Sequence, residues 1–221
     1  MDISTLKIDK KEVLRYAGHR GDYVPENVDA AAEKMCGLIL HSISPKSRVI
    51  QCALQPTENG VVLTGSGLVL QGRDIKKHLE GCGYCYVLCA TIGYQADMFI
   101  RSMQVQSALD GLMADAAATA AIEVYCDLLE NRLRNEQQRQ GRFVTWRYSP
   151  GYGDFPFEQQ PRVLSLLQAE KYTGIHCNRA CMMIPSKSVT AVMGIADKKP
   201  RRSAGKCALC PNKGNCNFSC R

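Results

Sequence analysis

The sequence predicts an α+β fold in which helices cover a largely antiparallel twisted sheet, followed by a short Cys-rich metal-binding tail. Apolar residues recur at helical spacing in some segments and form short strand-like runs in others, without regular alternation between the two. This periodicity stops near ADKKPRRSAGK, where basic residues cluster. We therefore expect one domain over residues 1–197 and a basic four-cysteine tail over residues 198–221.

The first part of the domain is predicted to begin with two helices. Asp9 followed by Glu12 is typical of a capping box and Gly18 of a helix end, so EVLRYA is predicted as a short helix. Apolar residues recur at helical spacing from Pro25 to Ile43 and predict a second one. Strand-like runs follow at SRVIQCAL, GVVLTG and LVLQG, then a helix at DIKKHLEG and an apolar strand at YCYVLCATIG.

The second part begins with a long helical stretch from about Tyr94 to Arg134, interrupted near residues 104–107 where the periodicity weakens. An extended segment, FVTWRYS, then leads into the loop PGYGDFP, which is rich in turn residues. One helix is predicted at PRVLSLLQAEKYTG, ending at Gly174. The domain closes with CMMIPSKSVTAVMGIA, predicted as two strands around residues 185–187.

The formal net charge of +7 resides entirely in the tail, where seven basic residues follow the last acidic residue, Asp197. The remaining chain is balanced and has no general attraction for nucleic acid. No charged-then-apolar leader opens the chain, and no apolar run is long enough to span a bilayer. We therefore expect a cytosolic protein, without a membrane partner, whose twelve cysteines are reduced thiols or metal ligands.

The segment RYSPGYGDFP, residues 147–156, is the first candidate site. The planar guanidinium of Arg147 suits a carboxylate, Gly151 allows a ligand to approach the backbone, and Tyr152 offers a flat ring or a hydroxyl. A surface turn whose arginine pairs with a local acid has the same composition. Both interpretations stay open at this level.

Two acids interrupt the apolar stripe of the predicted helix over residues 107–135, which includes Leu109, Leu112, Ala116 and Ala120. Burying a carboxylate without a partner is costly, so Glu123 must meet a donor. That donor is either a structural arginine in an ordinary salt bridge or a ligand's hydroxyl, amine or ammonium. Asp127 lies one turn further along the same stripe.

Cys207, Cys210, Cys216 and Cys220 have the spacing Cys-x2-Cys-x5-Cys-x3-Cys and predict a metal site. The compact, asymmetric arrangement and Pro211 directly after a cysteine favour an iron–sulfur cluster over structural zinc. Another group, Cys82, Cys85 and Cys89, is interpreted as core thiols because buried free cysteine is an ordinary small apolar residue.

The segment RYSPGYGDFP, together with the downstream LSLLQAEKYTGI and PSKSVTAVMGI, resembles the S-adenosylmethionine-binding activation domain of cobalamin-dependent methionine synthase. The resemblance covers most of residues 80–196. The stretches EVLRYAGHRG and CATIGYQAD are similar to shorter members of that family, in which the activation domain is a separate polypeptide.

This resemblance implies that Arg147 contacts the ligand's carboxylate, that Ser149 and Gly151 use backbone groups, and that Tyr152 packs nearby. Glu123 aligns with a family glutamate that also binds the ligand. The family's N-terminal aspartate contact has no counterpart near residues 1–30, and its C-terminal aromatic contact is missing because the chain diverges from the family after Ile195. The implied role is positioning of the sulfonium methyl group, so no residue is assigned to acid–base catalysis.

The resemblance also implies that the corrinoid is held by a partner, because no Asp-x-His-x-x-Gly cobalamin loop occurs in the chain. The expected partner is a cobalamin-binding methionine synthase chain, with flavodoxin or ferredoxin as electron donor and the tail cluster as a relay for the electron. In the family's reaction, cob(II)alamin takes one electron and is trapped by methyl transfer from S-adenosylmethionine. Two alternatives stay open: a redox activator of another corrinoid methyltransferase, and a zinc-knuckle nucleic-acid-binding module using KKPRR.

Overall fold

The computed structural model describes residues 6–198. Within this range the helices are α1 (Lys10–Tyr16), α2 (Glu26–His41), α3 (Arg73–His78), α4 (Tyr94–Gln106), α5 (Ala108–Gln138), α6 (Gln160–Leu167) and α7 (Ala169–Thr173). The strands are β1 (Lys46–Thr57), β2 (Gly60–Leu63), β3 (Leu68–Gln71), β4 (Tyr84–Thr91), β5 (Phe143–Val144), β6 (His176–Cys177), β7 (Met183–Ile184) and β8 (Ser188–Ala196). None of these helices is long and apolar enough to cross a membrane.

Six strands form one sheet in the order β3-β2-β1-β4-β8-β5, and every pairing in it is antiparallel. The α+β class and the largely antiparallel sheet are therefore confirmed. The central strands β1, β4 and β8 are paired over eight residues on each side of β4, from Tyr84 to Thr91. Strands β6 and β7 form a separate hairpin.

Residue alternation along the central strands divides the core into two layers, one on each face of the sheet. Tyr86 and Leu88 of β4 face the larger layer, which is built mainly from α1, α2, α4 and α5. Val87 and Cys89 face the smaller one, where α3, α6 and α7 pack. Strand β4 is covered on both faces, which is why its sequence is almost continuously apolar.

The predicted interruption of the long helical stretch is confirmed at Ser107. Its backbone is extended, with φ −158° and ψ 136°, and its hydroxyl caps α5 by accepting from the N–H of Asp110 at 3.3 Å. Asp9 likewise caps α1 through the N–H of Lys11 at 2.8 Å. Leu112, placed on the buried stripe by periodicity, is 49% exposed because Gly111, Met113 and their neighbours face the core there.

Two details near the C-terminus differ from the sequence-based prediction. The single helix predicted before Gly174 is two helices, because Gln168 adopts a left-handed conformation with φ 48° and ends α6. The two strands around residues 185–187 belong to different sheets, since β7 pairs with β6 whereas β8 lies in the main sheet. Between them, Ser186 is fixed by Asp97, which accepts from its N–H at 2.9 Å and from its hydroxyl at 2.6 Å.

The exposed edge of the sheet at β3 is closed by the buried side chain of Gln159. The orientation of its amide that satisfies the backbone of β3 has the nitrogen donating to the carbonyl of Val69 at 3.2 Å. The amide oxygen then accepts from the N–H of Gln71 at 3.1 Å. One side chain therefore satisfies two outward-facing backbone groups of the edge strand, the carbonyl of Val69 and the N–H of Gln71.

We expect Gly111→Ala to lower the free energy of unfolding by about 1–3 kcal/mol, although alanine is the better helix former. A Cβ at Gly111 would lie 2.8 Å from the Cα of Gln104, so the close approach of α4 and α5 would be lost. Gly37 in α2 is the matched control, because a Cβ there meets nothing within 4 Å. Gly37→Ala should stabilise by up to about 1 kcal/mol in the same urea titration. Equal effects of the two variants would contradict this packing.

Candidate functional site

Arg147 follows β5 on an extended segment whose register is fixed by β8. The N–H of Tyr148 donates to the carbonyl of Val192 at 2.9 Å, and the N–H of Val192 donates back at 2.8 Å. Alternation then places Trp146 and Tyr148 in the smaller core layer and Arg147 on the side of α5. The predicted arginine is thus buried, with 6% of its side chain exposed.

Three carboxylates of α5 surround this guanidinium. Glu123 lies 3.1 Å and Asp127 2.6 Å from Nη2 of Arg147, and Glu130 lies 3.1 Å from its Nε. The structure therefore brings together Arg147 and Glu123, both predicted from sequence. Nη1 of Arg147 is buried and has no hydrogen-bond partner among the described residues, which leaves one strong donor unsatisfied.

Glu130 is the part of this cluster that sequence reasoning missed. It accepts from Nε and Nη2 of Arg134 at 2.9 and 2.6 Å as well as from Arg147. Arg134 in turn donates to the carbonyl oxygens of Val144 and Thr145, which ties α5 to the segment that carries Arg147. The signal was present in the sequence, because positions 123, 127 and 130 share one helical face.

The loop after Arg147 is a tight turn that contains the other predicted site residues. The N–H of Tyr152 donates to the carbonyl of Ser149 at 3.1 Å, and the N–H of Gly151 donates to the carbonyl of Phe155 at 2.8 Å. Gly151 has φ 93°, a backbone conformation that is strained for any residue with a side chain. Tyr152 is 48% exposed, and its ring packs edge-on against Tyr148 at 5.6 Å. The loop therefore presents Gly151 and Tyr152 at the surface.

Asp154 anchors this loop to the start of α3, a contact that the sequence did not reveal. Its carboxylate accepts from the N–H groups of Arg73 and Asp74 at 2.7 and 2.9 Å, and Asp74 accepts from the N–H of Asp154 at 3.2 Å. Burial acts to raise the pKa of Asp154, but these donors outweigh it and hold that pKa below its usual value. A Cβ at Gly72 would lie 2.7 Å from Asp154, so the approach requires glycine.

An aromatic cluster packs against the loop on the side of the smaller core layer. The ring of His78 stacks on Tyr148 at 4.9 Å and meets Trp146 edge-on at 4.7 Å. Its Nε2 lies 2.8 Å from the hydroxyl of Thr145. Burial among these rings lowers the pKa of His78 to about 4, so the imidazole is neutral at physiological pH.

The two groups of cysteines have different outcomes. Cys85 and Cys89 are fully buried in the smaller core layer, as interpreted, and burial raises the pKa of Cys82 to about 11. No cluster of His, Cys, Asp and Glu suited to a metal ion occurs in residues 6–198. The predicted ligands Cys207, Cys210, Cys216 and Cys220 lie outside the described residues, as does nearly all of the predicted tail.

Comparison with solved structures identifies the class of fold. The chain is similar to one described as "Crystal Structure of the MetH Reactivation Domain bound to AdoHcy", with a TM-score of 0.68 and 18% identity. The match covers 91% of this chain and 78% of that one, so the fold is that of a methionine synthase reactivation domain. Comparison with the curated proteins gives no match.

The sequence comparison then establishes the family. Residues 89–207 match the family described as "Vitamin B12 dependent methionine synthase, activation domain". This match includes the end of β4, all of α4 and α5, the loop after Arg147 and β8, and it spans more than half of the chain. The chain belongs to this family, as its resemblance in sequence implied.

We expect the free energy of unfolding to fall by about 2 kcal/mol between pH 7 and pH 5 because of His78. Below the unfolded-state pKa of 6.5 the unfolded chain binds a proton that the folded protein excludes until the pH approaches 4. Stability is therefore lost as the pH falls through this window. Urea titrations of wild type and His78→Asn at both pH values test this. A pH dependence unchanged in the variant would contradict it.

Proposed function

We propose that this protein binds S-adenosylmethionine and serves as the reactivation component of a cobalamin-dependent methionine synthase. In this role it supports reductive methylation of cob(II)alamin held by a partner chain. Membership of the activation-domain family supports the proposal, and so does the fold shared with a domain described as bound to AdoHcy. Arg147, Glu123, Ser149, Gly151 and Tyr152 are the proposed ligand-binding residues.

The observation that carries the proposal is the buried guanidinium of Arg147 with an unpaired Nη1. A donor in this position is costly unless an acceptor meets it. The carboxylate of the ligand's methionine moiety is such an acceptor, and with Arg147 it forms a charge-assisted pair. The carboxylate of Glu123, 42% exposed and 3.1 Å from the same guanidinium, suits the neighbouring ammonium of an α-amino acid.

The loop supplies a second part of the site. The backbone around Ser149 and Gly151 is held in a fixed turn, and Gly151 presents no side chain to an incoming ligand. The exposed ring of Tyr152 provides a flat surface nearby. Because Asp154 and Tyr148 hold the loop from the opposite side, the ligand meets a preorganised surface.

These residues act by positioning. The corrinoid, brought by the partner, supplies the cobalt centre that accepts the methyl group, and an electron donor such as flavodoxin or ferredoxin supplies the electron. The contribution of this chain is to fix the amino acid end of S-adenosylmethionine through Arg147 and Glu123. That contact orients the sulfonium methyl group toward the partner, an effect of proximity.

We expect Arg147→Ala to weaken binding of S-adenosylmethionine roughly ten- to a hundredfold, a loss of about 1.5–3 kcal/mol. Arg147→Lys should recover only part of the affinity, because an ammonium lacks the planar pair of donors. Isothermal titration with S-adenosylmethionine and S-adenosylhomocysteine measures both variants, alone and with a cobalamin-loaded synthase.

Arg132→Ala is the control for this experiment. It removes a half-exposed cation of the same helix, which lies 3.7 Å from Glu136 and outside the cluster around Arg147. The affinity for the ligand should stay near that of wild type, and thermal unfolding of each variant shows that it is folded. Wild-type protein that binds neither ligand, even with the loaded synthase present, would refute the proposed function.

We also propose that residues 198–221 form a metal-binding tail in which Cys207, Cys210, Cys216 and Cys220 hold an iron–sulfur cluster. The support is the compact four-cysteine spacing in a chain predicted to be cytosolic, with flanking basic residues that offset the thiolate charge. Such a cluster suits electron transfer to the corrinoid. Structural zinc is the alternative.

Replacing Cys207 and Cys216 by Ser should abolish metal binding and leave the domain folded. The variant and wild type are compared after anaerobic purification by visible spectrum, by iron, zinc and sulfide content, and by thermal unfolding. Colourless wild-type protein with stoichiometric zinc and no sulfide would show that the site is not an iron–sulfur cluster. Loss of the whole fold in the variant would contradict the domain boundary.

A further inference from the structure

We propose that Arg147 is held by one permanent and one exchangeable carboxylate. Glu130 is a positioning residue that orients the guanidinium, whereas Asp127 occupies it only until the ligand's carboxylate binds. The inference rests on the proposed function, because the exchange requires a ligand that carries a carboxylate. It assigns opposite roles to two acids that contact the same arginine.

Glu130 has the properties of the permanent partner. Only 12% of its side chain is exposed, and it lies between Nε of Arg147 and the guanidinium of Arg134. Arg134 is fixed in turn by two backbone carbonyls next to β5. A charge this buried cannot leave without removing the carboxylate partner of Arg134 and the partner of Nε of Arg147. Glu130 therefore fixes Nε and sets the direction of the other two nitrogens.

Asp127 has the properties of the exchangeable partner. Its carboxylate lies 2.6 Å from Nη2 of Arg147, yet 62% of the side chain is exposed, so water can replace the contact. It shares Nη2 with Glu123. Nη1 itself is shielded from solvent, so a ligand reaches this guanidinium only if a neighbouring group moves. The most exposed of the three carboxylates is the one that moves at least cost.

The local charge balance also favours displacement of Asp127 by the ligand. Three carboxylates face Arg147, and the one on Glu130 is also paired with Arg134. A fourth carboxylate, from the ligand, adds like-charge repulsion unless an existing one withdraws. Withdrawal of Asp127 leaves Glu123 beside the ligand's ammonium and frees Nη2 for a paired contact to the carboxylate.

The test compares Glu130→Gln and Asp127→Asn by isothermal titration with S-adenosylhomocysteine. Glu130→Gln should weaken binding about five- to tenfold, because the guanidinium loses its orientation. Asp127→Asn should tighten binding about two- to fivefold, because a competing carboxylate is removed. Glu136→Gln is the charge control: it removes a half-exposed acid of α5 that pairs with Arg132, and it should change nothing.

A second ligand separates positioning from general loss of structure. 5′-Methylthioadenosine lacks the amino acid group, so neither variant should change its affinity by more than about twofold. Weaker binding of both ligands by Glu130→Gln would overturn the positioning role. Weaker or unchanged binding of S-adenosylhomocysteine by Asp127→Asn would overturn the exchange.

Thermal unfolding without ligand tests the inference separately from the proposed function. Glu130→Gln should lower the midpoint by roughly 5 °C or more, whereas Asp127→Asn should leave it within about 1 °C. If wild type binds no ligand, the proposed function fails and the exchange fails with it. The permanent role of Glu130 is then tested by the thermal unfolding comparison alone. Equal shifts of the unfolding midpoint in the two variants would overturn it.

Discussion

A buried guanidinium imposes the constraint on which this site depends. The side chain of Arg147 is buried between its own extended segment and α5, where a cation is tolerated only if acceptors surround it. Those acceptors come from successive turns of one helix, so they fix both the rotation and the axial position of α5 against the sheet. The packing of small side chains along α5 is compatible with that position. Charge and packing therefore specify the same arrangement.

The loop after Arg147 is constrained from two sides. On one side the arginine is tied to α5, and on the other Asp154 caps α3 while the ring of Tyr148 packs on Phe155 at 6.3 Å. A loop held at both ends has little conformational freedom left to lose. These contacts explain why a segment rich in turn residues forms a defined surface in the structure.

The secondary structure was largely predictable because it depends on local periodicity and capping. The interruption at Ser107, the cap at Asp9 and the continuous apolar run of β4 all leave signals within a few residues. The left-handed Gln168 escaped prediction because glutamine rarely adopts that conformation and nothing nearby marks it.

The site was predictable only in part. The sequence placed a donor opposite Glu123 and identified Arg147, and the structure joins them at 3.1 Å. It did not pair Glu130 with Arg147 or Asp154 with α3, because those contacts join different elements, and spacing within one helix carries no information about what faces it. The pairing of Glu130 with Arg134, four residues further along α5, follows ordinary helical spacing and was open to prediction.

The side chain of Gln159 has a consequence for how this domain meets other proteins. By occupying the carbonyl of Val69 and the N–H of Gln71, it hinders another chain from extending the sheet at that edge. At the opposite edge β5 has two residues, and Tyr148 adds a single bridge to β8. Recognition of the domain by strand addition is therefore disfavoured, and helix faces and loops, where side-chain complementarity sets the orientation of a partner, are the surfaces better suited to an interface.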